Sequence, residues 1–345
     1  MPQSEPFNPD ENGHPNYAFG IPAEEENAGI VIIPAPWEPT VSYGRGTSKA
    51  PGIIKKASQQ IDIYDIFWGE PWRAGWFMRE EQPAHKEKSN YLTEQVDRLR
   101  ESDSSNAEKL KEVDDECRNF LNELGNDCQE VLTRQQFPVI VGGEHTCALP
   151  LINALAKKET FGILQIDAHA DLHPQFEGLT YSHATVMHQA LKEDNVQSIV
   201  NVGLRDFAAR EARIIGENSD RYIPYLGSSI AERLYDGGKW RNICNEIVYD
   251  LPDKVYISFD IDGLEPWLCP GTGTPVPGGL EYFQAIALLR EIVEAGKQII
   301  GFDLSETAPS ETNLGGNTAS RILYNLCSAV TVSNKLPETP HLRKS

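Results

Sequence analysis

The chain has 345 residues and a formal net charge of −20, with 40% hydrophobic residues and a mean hydropathy of −0.42, so it can bury a substantial core but has no excess of cations to displace counterions from a nucleic acid. Its six cysteines (Cys117, Cys128, Cys147, Cys244, Cys269, Cys327) are scattered without a CxxC pair, which fits free thiols in a reducing cytosol and excludes a disulfide-stapled scaffold. The polar start MPQSEPFNPDENGHPN resembles no export signal, and no apolar run approaches the roughly 18 residues of a membrane span, so a cytoplasmic protein with no membrane partner is expected.

In chain order, residues 1–27 read as an irregular, acidic arm on the surface, followed by one domain over 28–333 and a tail over 334–345. Gly29 to Ile33 is a continuous apolar run without helical period, the pattern of a buried strand. A Gly/Pro-rich loop follows, then a helix starting near Pro51, where proline suits a first turn. Gln60 to Ile66 alternates like a strand. Residues 67–135 form an extended aromatic and charged segment. Trp68, Trp72 and Trp76 in it suit packing or interface anchoring better than a cofactor box, and Ala107 to Gln135 carries apolar residues at helical spacing.

Beyond this segment, strand and helix alternate. Strands are expected at Phe137–Val141, Phe161–Ile166, Ser198–Val202, Val255–Phe259 and Ile299–Phe302. Helices are expected from Cys147, and around His183–Leu191, Gly238–Tyr249, Leu280–Ala295 and Thr318–Ser328. This order predicts an α/β fold with a central, mostly parallel sheet covered by helices on both faces.

Polar clusters sit where these strands end, the place at which open α/β sheets keep their sites. After Phe161–Ile166 come Asp167, His169 and Asp171, which project to one side if the backbone stays extended. Taken alone they also suit a polar loop, with the aspartates as turn formers. His145 follows the paired glycines Gly142 and Gly143 and suits either a cap or a ligand. Asp260 and Asp262 share one side of a strand end, where two carboxylates repel unless a cation lies between them. Glu306 follows a further strand end in the run DLSE.

Together, His145, Asp167, His169, Asp171, Asp260 and Asp262 supply four carboxylates and two imidazoles, a charge that two divalent cations balance. Hard oxygens with imidazoles suit Mn2+, with Ni2+, Co2+ or iron as alternatives, and the lack of thiolates disfavours structural zinc. Two such ions roughly 3.5–4 Å apart acidify a shared water, so metal-assisted hydrolysis is the reaction class expected, with Asp167 and Asp260 as natural bridging ligands.

The runs GGEH, DAHAD, SFDIDGLEP with PGTGTPVPGGL, and DLSE resemble, in residue type, order and spacing, the motifs of the ureohydrolase family of arginases and agmatinases. The resemblance runs from about Gly29 to Ser328. It implies a three-layer α/β/α arginase-like fold, a binuclear manganese centre that hydrolyses a guanidino group to urea and an amine, and a homotrimer or a pair of trimers. Position by position, it implies that His145, Asp167, Asp171 and Asp260 hold one ion and Asp167, His169, Asp260 and Asp262 the other. His183 then matches the histidine that shuttles a proton, and Glu306 the glutamate that binds the guanidinium. Glu144 and Glu265 stand where aspartates are usual, and Thr307-Ala308-Pro309 also departs from the pattern.

The substrate is a small cationic guanidino compound on this reading. The loop from Leu172 to His183 has no Lys or Arg, and Glu177 and Asp206 suit a terminal ammonium, which favours agmatine and hence polyamine synthesis. Arg45 or Arg205 would favour a carboxylate tail instead, as in arginine or guanidinobutyrate. Free guanidine with nickel, a zinc-dependent deacetylase on a related sheet, and a metal-binding non-catalytic scaffold are the remaining alternatives.

Overall fold

The computed structural model describes residues 7–10, 13–101, 106–339 and 342; the outer parts of the expected N-terminal arm and C-terminal tail lie outside these. Eight strands form a parallel sheet in the order β2-β1-β3-β8-β7-β4-β5-β6. They are β1 (Ile30–Ala35), β2 (Trp76–Met78), β3 (Phe137–Gly142), β4 (Phe161–Ile166), β5 (Val196–Leu204), β6 (Tyr222–Leu226), β7 (Lys254–Asp260) and β8 (Gln298–Ser305). Among the described residues ten α-helices cover it: α1 (Ala50–Ser58), α2 (Pro83–Glu101), α3 (Ala107–Thr133), α4 (Leu149–Ala156), α5 (Val186–Ala190), α6 (Ala209–Glu217), α7 (Gly227–Tyr235), α8 (Trp240–Asp250), α9 (Tyr282–Glu294) and α10 (Leu314–Ser333).

The continuous apolar strands arise because both sheet faces are buried. In β1, Ile30 and Ile32 enter one hydrophobic cluster with α9 and α10, and Val31 and Ile33 enter the other with α3 and α4. In β4, Leu164 and Ile166 likewise face one cluster and Phe161 and Ile163 the other. This period-two partition produces the three layers. The α3 helix buries Val113, Cys117, Phe120, Leu121, Leu124, Cys128 and Val131, a single stripe at helical spacing, and its N-cap Asn106 accepts the Lys109 N–H.

Three expectations are corrected. Gln60 to Ile66 is a turn, not a strand. The Gln60 and Ile61 amides close the end of α1, and Asp65 Oδ1 accepts the Phe67 and Trp68 N–H groups, so local bonds satisfy a backbone that alternation alone assigned to a sheet. The N-terminal stretch is irregular but not superficial. Ala18, Phe19, Ile21 and Ala23 are buried, and Phe19 packs edge-on against Trp76 and Tyr324. The expected helices beginning at Cys147 and His183 each open with a 3-10 turn before the α-helix.

Trp68 and Trp76 are buried against α10, their indole N–H groups donating to Asn325 Oδ1 (2.8 Å) and Thr331 Oγ1 (3.1 Å). The tryptophans of this segment are thus core anchors. Trp37 stacks on Phe120 of α3 with centroids 3.9 Å apart, and its indole nitrogen is buried without a hydrogen-bond partner. Trp37→Ala is therefore expected to cost about 3–5 kcal/mol of stability, whereas Trp37→Phe keeps the stack and removes the unpaired donor at about 1 kcal/mol or less. Urea denaturation of the two variants measures this contrast. No helix among the described residues is long and apolar enough to cross a membrane.

Candidate metal centre and its cleft

Five adjacent strands, β3, β8, β7, β4 and β5, end on the same side of the sheet, and the loops leaving them carry all six candidate ligands together with Asp206 and Glu306. Gly143 allows the turn after β3. Its N–H donates to Ala35 O (2.8 Å), and a Cβ there would meet Trp37 O at 1.9 Å, so no larger residue fits. Gly263 similarly lets the turn after β7 lie against the backbone of Ile166 and Asp167.

The structure brings the six side chains into one cluster, buried except for the partly exposed His169. His145 Nδ1 lies 2.7 Å from Asp171 Oδ2, 3.2 Å from Asp167 Oδ2 and 3.6 Å from Asp260 Oδ2. His169 Nδ1 lies 3.0 Å from Asp262 Oδ2 and 3.6 Å from Asp167 Oδ1. Asp167 thus turns one oxygen to each histidine, and His145–Asp167–Asp260 and Asp167–His169–Asp262 each converge closely enough to hold an ion. Asp171 reaches the first group with its backbone in the left-handed region (φ 53°), a strained conformation for a non-glycine residue.

The electrostatics fit cations. Burial, followed by repulsion from Asp262 and Asp167, pushes Asp260 well above the usual carboxylate range. Burial and the Asp167 charge push Asp171 up to about 7. The His145 imidazole is itself buried, and its bonds to Asp167 and Asp171 outweigh that burial and raise it. Such a set holds protons where divalent cations would relieve the same repulsion. The second nitrogen of His145 is fixed by Ser258 Oγ at 2.7 Å, and Tyr256 and Ser305 hydroxyls donate to Asp303 just beyond (2.9 and 2.7 Å).

Above the cluster lies a cleft of about 320 Å³ lined by His145, His169, Asp171, Asp260, Asp262, His183, Glu306 and Asp206, among others. Glu306 also sits in the left-handed region (φ 64°), and its Oε1 accepts the His145 N–H at 2.8 Å. Burial and then the charge of Glu144 raise its pKa well above the carboxylate range. His183 meets Thr40 Oγ1 through Nδ1 (3.1 Å), and burial, reinforced by nearby cationic groups, pulls its pKa down to about 3.

Over residues 28–330 the sequence matches the model of the arginase family. The chain belongs to the arginase family. It is a ureohydrolase, a hydrolase of guanidino C–N bonds, and this is a family known for a binuclear metal centre. An N(1)-aminopropylagmatine ureohydrolase of Synechocystis sp. is 29% identical over 285 residues, covering 82% of each chain. Agmatinase of Bacillus subtilis is 31% identical over 197 residues, 56% of this chain and 63% of its own. The agmatine ureohydrolase structure of Thermoplasma volcanium, at 22% identity, matches with a TM-score of 0.70 over 91% of this chain and 94% of that one.

Within this arginase-family site, several sequence expectations change. Glu177 does not face the cleft. Its carboxylate pairs with Arg100 of α2 (2.6 Å), because the Glu177-Gly178 turn points outward. Arg45 is engaged by Asp97 and by Glu38 O, and Arg205 donates to the Val276, Gly203, Asp262 and Leu264 carbonyls, so neither guanidinium is directed at a substrate carboxylate. Asp206 lies at the rim with its side chain 66% exposed, 3.9 Å from His169 Nε2. Glu144 is fully buried and uses its extra methylene to accept the Thr40 N–H (2.8 Å) while also taking the Thr146 hydroxyl (3.1 Å). Thr40, Ser258 and Arg100 were not signalled by sequence, because each acts on a partner many residues away.

Proposed function

We propose that this ureohydrolase cleaves a guanidino compound with a cationic tail, agmatine first, to urea and the corresponding amine. The observation that carries this is a buried His/Asp cluster beneath a cleft whose rim is acidic at Asp206 while Arg45 and Arg205 are consumed internally. We assign His145, Asp167, Asp171 and Asp260 to one ion and Asp167, His169, Asp260 and Asp262 to the other. The mixture of hard oxygens and imidazoles favours Mn2+, with Ni2+ or Co2+ as substitutes. Two such ions supply Lewis acidity and a water of lowered pKa.

The protein's own groups do the rest. Glu306 commits one oxygen to His145 N–H and offers the other to the planar guanidinium, a charge-assisted pair strengthened by burial. His183, held through Nδ1 and lining the cleft, receives a proton and passes it to the departing amine. The Phe176 ring stands edge-on to His183 at 5.4 Å and lines the cleft beside it. Asp206 then meets the distal ammonium. Free, buried thiols at all six cysteines support a cytoplasmic setting. A homotrimer or homohexamer is part of this proposal, and exposed Tyr64, Ile66 and Phe283 (71, 96 and 78%) offer apolar side chains for such contacts.

A second reading, N(1)-aminopropylagmatine, is favoured by the acidic rim and by relatives bearing that activity in their names over 82–88% of this chain. Urea release by the Mn2+-loaded protein, compared across agmatine, N(1)-aminopropylagmatine, arginine, guanidinobutyrate and free guanidine, tests the proposal. The two cationic-tail compounds should react fastest; preference for arginine, guanidinobutyrate or guanidine would overturn the reading of the rim. Asp206→Asn should raise KM for the preferred substrate about three- to tenfold with kcat nearly unchanged, as befits a solvent-exposed charge partner. Steady-state kinetics of that variant provide the check.

A further inference from the structure

The 19-residue helix α2 contributes nothing to the lining of the catalytic cleft. Its polar residues Ser89, Asp97 and Arg100, spaced along one face, instead grip the segment from Glu38 to Arg45. Ser89 Oγ accepts the Glu38 N–H at 2.9 Å, and Asp97 pairs with Arg45. Arg100 Nη2 and Nη1 donate to the Thr40 and Val41 carbonyls, each at 2.9 Å. The same guanidinium reaches Glu177 through Nε at 2.7 Å.

Glu177 occupies a tight turn in which Phe176 and Leu179 exchange two 2.9 Å backbone bonds. Both central residues have positive φ (Glu177 51°, Gly178 84°), so a side chain at 177 is tolerated against strain. The pair with Arg100 gives this position a reason to be glutamate. The two segments that Arg100 ties together are those that flank His183. Thr40 Oγ1 accepts the His183 backbone N–H at 3.0 Å and meets its Nδ1 at 3.1 Å, while Phe176 packs edge-on with the ring at 5.4 Å.

We propose that α2 is a splint for the proton-carrying histidine and that Arg100 is its positioning residue, holding Thr40 and the Phe176-Glu177 turn at the separation that orients the His183 ring. This rests on the role given to His183 above. The planar fork serves four acceptors at once, the Thr40 and Val41 carbonyls, Glu177 and Asp97 Oδ1 (3.3 Å), one more than the three N–H groups of a lysine ammonium can supply.

The experiment compares Arg100→Met and Arg100→Lys with the parent protein, all Mn2+-loaded, by steady-state kinetics and by the rate at which diethylpyrocarbonate modifies His183, followed by peptide mass spectrometry. Arg100→Met should lower kcat about 10- to 100-fold with KM within about threefold, and His183 should be modified several times faster. Arg100→Lys keeps a cation beside Glu177 but loses a carbonyl contact, and should show the same faster modification; it decides the matter if the methionine variant does not fold. Combining Arg100→Met with Thr40→Val should lower kcat little beyond the worse single change. An unchanged modification rate in the folded variants overturns the proposal, whether or not kcat falls. The modification rate remains readable even if the parent protein releases urea from none of the guanidino compounds, an outcome that overturns the reaction instead.

Discussion

Asp260→Ala is expected to leave a folded protein that retains at most one of two Mn2+ ions and has lost urea release by at least about 10³-fold. The side chain ends β7 at the centre of the sheet, its Oδ2 3.6 Å from His145 Nδ1 and its Oδ1 accepting the Asp262 N–H at 2.9 Å. Removing it takes away a carboxylate assigned to both ions and, with it, the acceptor that holds the Asp262 N–H. The fold should survive, because Asp260 contributes repulsion to the metal-free cluster, as its raised pKa indicates. Metal binding to the native state alone raises the unfolding temperature. In Asp260→Ala most of that metal-dependent increase should disappear. Metal analysis after gel filtration, with thermal unfolding in Mn2+ and in chelator, measures both parts. A variant that keeps two ions and full activity would remove Asp260 from the site.

The second large effect is expected from Glu306→Gln, which should keep both ions yet lose kcat/KM for the guanidino substrate by about 10²–10³-fold. Glutamine preserves the acceptor that Glu306 Oε1 offers to the His145 N–H, so the loop after β3 and its candidate ligand histidine stay in place. What it removes is the negative charge opposite a guanidinium in a buried cleft, where an ion-paired hydrogen bond is far stronger than a neutral one. Equal losses of metal and activity would mean that Glu306 serves the metal centre and not the substrate. The pairing of the two variants therefore separates holding the metal from holding the guanidinium.

The centre of this fold was legible because each strand that carries chemistry announces itself locally. VIVGGEH, FGILQIDAHAD and VYISFDID each join an apolar run to polar residues at its end, and these form β3, β4 and β7 with the six candidate ligands at their tips. Elements with weaker local signals escaped notice. β2 is three residues long, and β6 contains Pro224, tolerable because β6 is an edge strand. α2 buries His85, Ser89 and Gln95 beside only Leu92 and Val96, so its inner face lacks an apolar stripe. Gln60 to Ile66 erred the other way: its alternation was real, with Ile63 buried and Tyr64 exposed, but Asp65 turned the chain before a ladder could form.

The supports of the site were invisible for a different reason. Thr40 lies 143 positions from His183, Glu144 lies 104 from Thr40, and Arg100 lies 77 from Glu177. No periodicity or motif links such pairs, and only the folded backbone reveals that the loop after β1 reaches Glu144 and His183 and lines the cleft through Ser42. Glu177 was misassigned for the same reason, since its charge and position in the 172–183 loop suited a substrate partner until the left-handed turn directed it to α2.

The measurement that bears most directly on the whole account is a titration of chelator-stripped protein with Mn2+, following bound metal and urea release from agmatine in the same samples. Two ions per chain, with activity absent from the stripped protein and rising as the ions bind, is the result the clustered ligands and acidic cleft lead us to expect. Full urea release from stripped protein, or saturation at one ion with full activity, would contradict a two-ion hydrolytic centre at His145, Asp167, His169, Asp171, Asp260 and Asp262.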